Sequence, residues 1–200
     1  VGNRQSQAAV RRPGIGIFAK AHHVNSAIPI WLHVSLRVTP SDSAYWSQHQ
    51  KFGQYFREFE DGNGVRKPAV DVYGNPSATI GAGPYGQNGE DTTQACLANS
   101  ILEGQPNRPS DQLTRPIYSY QLAKRASDNA LITRLFELDA AYGDFLKYEC
   151  LPDAPDEFNS NSYISGILDA AAVAKPWFFH LLPDLFPGWS KPVPARYFGQ

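Results

Sequence analysis

Phe158-Asn159-Ser160-Asn161-Ser162-Tyr163-Ile164-Ser165-Gly166-Ile167-Leu168 sets small polar residues directly ahead of an apolar, helix-capable run. Ile164, Ile167 and Leu168 recur at helical spacing and share one face. Ser160 or Asn161 suits the N-cap, because a short side-chain oxygen accepts a hydrogen bond from a free N–H of the first turn. A side chain there stands at the positive end of the helix dipole. That field favours a nucleophile's oxyanion and the negative charge that develops during acyl transfer. The plain alternative is a well-capped core helix, so a partner elsewhere in the chain has to separate the two.

The partner is upstream. Ile28 to Pro40 reads as the clearest strand. Leu32, Val34, Leu36 and Val38 fall on one face, and His33, Ser35 and Arg37 on the other. The first face belongs to a core. The second presents an imidazole from a rigid element, which is a good place for a catalytic base. A strand histidine bonded to a neighbour is the simpler reading of that segment alone.

Composition bounds the rest. Two hundred residues with 42% hydrophobic and 12% aromatic side chains fit one globular domain. Eighteen basic and 19 acidic residues leave a net charge of −1, so no basic surplus exists to hold nucleic acid. Sixteen prolines and 16 glycines suit strands and loops better than a helical bundle. No apolar run is long enough for a transmembrane segment. Cys96 and Cys150 lack metal-site spacing and are expected as one disulfide or two thiols. Neither a metal nor a cofactor is expected. Val1 at the start and the lack of methionine suggest a processed piece of a longer protein.

Residues 1–13 read as a flexible N-terminal arm, and 14–200 as a single domain with a proline- and aromatic-rich coda. Adjacent His22 and His23 are weak as a metal site. Asp42 or its serine neighbours cap a helix carrying Tyr45, Trp46, His49, Phe52, Tyr55, Phe56 and Phe59, with Gly53 as its weak spot. A strand over 54–60 is the alternative. The aromatic stripe is core or a lid over a groove. Asp61-Gly62-Asn63-Gly64 is a turn. Two short strands surround Asn75-Pro76. Gly81-Ala82-Gly83-Pro84-Tyr85-Gly86 matches a dinucleotide fingerprint only in its letters. Pro84 removes an N–H, and no helix opens from the loop. A long helix is expected from about Asn129 to Tyr148, capped by Asp128.

This element order, with Asn159-Ser160-Asn161-Ser162-Tyr163 late and the His33 strand early, resembles the circularly permuted branch of the papain-like, NlpC-type superfamily. Its familiar members are the lecithin–retinol acyltransferase-like proteins, with the nucleophile in an Asn-Cys-Glu-His-Phe-type motif. Pro187-Gly188-Trp189-Ser190-Lys191-Pro192-Val193-Pro194 is similar to the ending of bacterial effector or toxin-like proteins of this kind. The resemblance implies an α+β fold, a small antiparallel sheet packed against helices. It implies His33 as base and Ser160 as nucleophile, standing where the family has Cys. A polar residue of the next strand would orient the histidine: Asp71 first, with Ser77 and Thr79 as alternatives. Asn159, Asn161, Ser162, Tyr163 and Trp46 would line the binding groove, and backbone N–H groups of 160–163 would form the oxyanion hole. Cys150 is the alternative nucleophile.

The implied function is a hydrolase or acyltransferase of amide or ester bonds, acting on a peptidoglycan peptide, an isopeptide or a lipid ester. The alternatives are a non-catalytic binding module of the same fold and a structural domain of a secretion or phage assembly. The implied partners are a peptide, cell-wall or lipid substrate and an immunity or carrier protein, with no nucleic acid. The missing start methionine and the toxin-like ending together suggest a bacterial protein delivered or secreted as part of a larger polypeptide.

Overall fold

The computed structural model describes residues 14–22, 31–71, 73–85, 100–112, 116–120 and 128–200. The N-terminal arm, His23 and Cys96 lie outside them. The fold is mixed α+β. Its strands are β1 (Gly14–His22), β2 (Trp31–Thr39), β3 (Glu58–Glu60), β4 (Arg66–Pro68), β5 (Ala78–Pro84), β6 (Ile101–Pro106), β7 (Pro116–Tyr120), β8 (Leu146–Tyr148) and β9 (Glu157–Phe158). Its α-helices are α1 (Ser43–Gln48), α2 (Asn129–Ala141) and α3 (Ser160–Ala170). The main sheet runs β7-β1-β2-β5-β6-β8-β9, antiparallel except at β8–β9, and β3 and β4 form a separate hairpin.

β2 lies within the strand read over 28–40, of which residues 28–30 are outside the described residues. Val34, Leu36 and Val38 are fully buried, as their alternation requires. They join Ala78, Ile80 and Ala82 of β5 and Leu102 of β6 under α3. Every residue of α3 from Ser160 to Leu168 is buried, so this helix is covered on all sides. The sheet covers one side, α2 another and the coda the rest. Gly166 lies so close to Val193 that a Cβ would strike its carbonyl. Among the described residues, no helix is long and apolar enough to cross a membrane.

Two expected helices are shorter than the apolar spacing suggests. The aromatic segment forms only α1, then a 3₁₀ turn at Gly53–Phe56, then β3. Gly53 seats against the Trp46 and Ser47 carbonyls, each 3.0 Å from where its Cβ would stand, and its N–H bonds to His49 O at 2.8 Å. The chain folds back there, and Trp46, His49 and Phe52 stack in series. Asp42 caps α1 through Tyr45 N–H at 2.9 Å. The second helix stops at Ala141, and Leu146 and Tyr148 go into β8 instead. Asp144 takes a left-handed φ of 50° and accepts from Gly104 N–H at 2.8 Å, which ties the break to the sheet. Asp128 does not cap α2 with its side chain; its carboxylate binds Ser41 N–H and Oγ at 2.7 and 2.6 Å.

Inside this core, Tyr163 of α3 donates to Asp139 Oδ1 of α2 at 2.6 Å. Burial pushes the Asp139 carboxyl up to about 7, against the Tyr163 bond, which pulls it down. In the coda Phe179, Phe186, Trp189 and Phe198 are buried, while Trp177 and Leu181 are exposed.

Candidate functional site

The α3 start is built by its own small polar residues. Asn159, not Ser160 or Asn161, is the N-cap: its Oδ1 accepts from Asn161 N–H and Ser162 N–H, both at 3.0 Å. Its Nδ2 donates to Cys150 O and Pro187 O at 3.1 and 2.9 Å. Ser162 Oγ donates to Gly188 O at 3.0 Å. Gly188, at φ 81°, lies where a Cβ would strike both Asn159 Oδ1 and Ser162 Oγ. The Pro187-Gly188 turn therefore closes over the helix start, and only glycine fits there.

Asn161 joins this start to β2. Its Oδ1 accepts from Val34 N–H at 2.8 Å and its Nδ2 donates to Leu32 O at 2.9 Å. These are the residues on either side of His33. The same Nδ2 donates to Pro187 O at 3.0 Å. The edge of β2 needs this cover, because its register with β5 begins only at Leu36. Ser160, beside Asn161 in the chain, is buried at 5% exposure. Among the described residues, no hydrogen bond engages its hydroxyl, and its N–H is the first-turn amide the cap leaves over.

His33 points to the sheet face opposite the apolar core. Its Nε2 lies 2.6 Å from Asp111 Oδ1, and the Asp111 side chain is fully buried. Asp111 ends a 3₁₀ turn, Pro109–Asp111, that follows β6 and folds back over β5. Asn107 sets this return. Its Oδ1 accepts from Thr79 N–H at 2.8 Å, its Nδ2 donates to Tyr55 O at 2.7 Å, and it takes φ 57°. Arg37 pairs with Thr79 in register, so Thr79, Gly81 and Gly83 lie on the His33 side of the sheet. A Cβ on Gly81 would collide with the Asp111 carboxylate, and one on Gly83 with the Arg108 guanidinium. The two glycines thus belong to a strand and leave room for these polar groups, which is why the motif resembles a nucleotide loop only in letters.

The site residues separate accordingly. His33 and the Ser160–Asn161 helix start are brought to the same stretch of β2. Asp71 is elsewhere. Its Oδ1 accepts from Tyr73 N–H and Asn75 N–H at 2.8 and 3.0 Å, holding its own turn. Burial shifts the Arg37 guanidinium downward, and the charge of Asp71 opposes that shift only in part. Arg37 is four residues along β2 from His33, about 13 Å away. The carboxylate at the imidazole is Asp111, from the 3₁₀ turn that follows β6. The signal that could have found it was the pair of glycines on the His33 face, which leave a gap that another segment must fill. Ser77 and Thr79 are buried, and Thr79 Oγ1 accepts from Gln112 Nε2 at 3.2 Å.

Trp46 is fully buried and donates from Nε1 to Asn129 Oδ1 at 2.9 Å, and Tyr163 is equally enclosed. Both are core residues and offer no groove lining. Asn159, Asn161 and Ser162 spend their polar atoms on the protein itself. Of the expected oxyanion donors, Asn161 N–H and Ser162 N–H are taken by Asn159 Oδ1, and Tyr163 N–H by Asn159 O. Ser160 N–H alone remains for that role. Cys150 is disulfide-bonded, which removes it as a nucleophile. No cluster of three or more metal-ligating side chains occurs among the described residues.

Comparison with protein-family models, with curated proteins and with solved structures finds no match to this chain.

Proposed function

We propose that the chain is a hydrolase or acyltransferase of amide or ester bonds, with Ser160 as nucleophile, His33 as base and Asp111 as the residue that orients it. One observation carries the reading. The Asn161 amide binds the main chain immediately before and after His33, so the α3 start is held to the stretch of β2 that carries the imidazole. An Asp111 carboxylate accepting from Nε2–H fixes the tautomer that leaves a basic lone pair on Nδ1. Ser160 Oγ would attack the carbonyl carbon as its proton passes to Nδ1. The new oxyanion would meet Ser160 N–H and the helix dipole. The imidazolium would then return the proton to the departing amine or alcohol, and water or an acceptor would release the acyl group by the same steps reversed.

A second reading has its own support. Three of the four residues Asn159–Ser162 are engaged in structural hydrogen bonds, which fits a joint in a non-catalytic binding module. Hydrolysis of peptidoglycan fragments and of a short ester panel separates the two. With catalysis, Ser160→Ala and His33→Ala lose activity to the same floor and Asp111→Asn falls by about 10⁴-fold in kcat. Turnover unchanged in Ser160→Ala, or none in the wild type, would leave the binding module.

A further inference from the structure

We infer that Asn161 is a positioning residue for Ser160. It acts through the backbone of β2, not by touching substrate. The inference rests on the reading of Ser160 and His33 as the reacting pair. One side chain makes three hydrogen bonds, to Val34 N–H, Leu32 O and Pro187 O, at 2.8, 2.9 and 3.0 Å. These three groups belong to two separate parts of the chain, and the helix start is the third element at the joint. The amide is the side-chain group suited to this place. It supplies one acceptor and two donors in a plane, and the site presents one donor and two acceptors.

The joint fixes two coordinates that matter for proton transfer. The bonds to Leu32 and Val34 bracket residue 33, so they set the height of α3 along β2. The bond to Pro187, shared with Asn159, sets the depth of the helix start under the coda turn. Ser160 precedes Asn161 by one residue and moves with it. The hydroxyl is not itself tied down, so its place relative to His33 is inherited from this clamp. A displacement of about 1 Å at a reacting atom costs about 10²-fold in rate.

A serine-directed fluorophosphonate measures this without knowledge of the substrate. Ser160 Oγ bonds to phosphorus, fluoride leaves, and the hydroxyl proton passes to His33. The wild type is compared with Asn161→Asp, which keeps the acceptor for Val34 N–H but sets an oxygen against Leu32 O and Pro187 O. Asn161→Gln keeps every donor and acceptor but is one methylene longer, and serves if the aspartate variant does not fold. Ser165→Ala is the control, because Ser165 Oγ anchors α3 to Trp189 O at 2.7 Å, away from β2.

The labelling rate per folded molecule is expected to fall about 10²-fold in the Asn161 variants and to change less than twofold in the control. The pH midpoint of labelling stays at its wild-type value, because the His33–Asp111 pair is untouched. Rates within twofold of the wild type in the Asn161 variants overturn the positioning role and leave the Ser160 reading standing. An unlabelled wild-type Ser160 overturns both.

Discussion

The two faces of β2 are buried by different physics. Toward α3, Val34, Leu36 and Val38 meet a helix through apolar contact, which is non-directional and tolerant of many neighbours. On the other side, His33, Ser35 and Arg37 are nearly as enclosed, yet each polar group asks for a partner in a definite direction. That face is covered by an irregular return, 107–112, which is set in register by Asn107 and admitted by two glycines of β5. The contrast teaches where chemistry is possible. A face sealed by shape carries stability, and the polar face carries a histidine held by a carboxylate while Ser35 Oγ and Asp111 Oδ2 are buried without a hydrogen bond among the described residues.

The sharpest way to break this contrast is on the polar face. Gly81→Ala is expected to displace the Asp111 carboxylate from His33, lowering Ser160 labelling by about 10²-fold while the apolar face stays packed. Fluorophosphonate kinetics with a thermal melt read both effects, and an unchanged rate would detach Asp111 from the site. On the apolar face, Leu36→Ala is expected to cost about 2–5 kcal/mol in urea denaturation, with labelling per folded molecule unchanged.

The core under α3 has a polar exception of its own, and pH tests it. Burial raises the Asp139 carboxyl to about 7, above its unfolded value, so the native state binds the extra proton. Its contribution to stability is whole below about pH 4 and is lost as pH rises through about 7. The loss is steepest in between, up to about 1.4 kcal/mol per pH unit. Urea melts across this range on wild type and Asp139→Asn should show that decline only in the wild type. The smallest effect belongs to a region outside both faces. Asp42→Ala removes the α1 cap and should cost about 1 kcal/mol in the same denaturation.

Much of the fold was legible in local pattern. The period-two run at 32–38, the helix at 160–168 and the Asp61–Gly64 turn all stand where neighbouring residues dictate them, because their causes lie within a few positions of chain. The boundaries of the aromatic helix and of α2 were not legible. Apolar residues at helical spacing continue past Gln48 and Ala141, but Gly53 and Asp144 make contacts with distant backbone that turn the chain.

The amino-acid sequence by itself determined that an imidazole rides on a strand with one apolar face, and that a serine stands at the mouth of a buried helix. Only the tertiary structure decided which carboxylate meets that imidazole, which asparagine caps the helix and which one ties it to the strand. The reason is distance along the chain. Asp111 is 78 residues from His33 and Asn161 is 127 from Val34. A hydrogen bond of that span leaves no periodicity to read. It is set by where the sheet, the glycine gap and the returning loop come to rest.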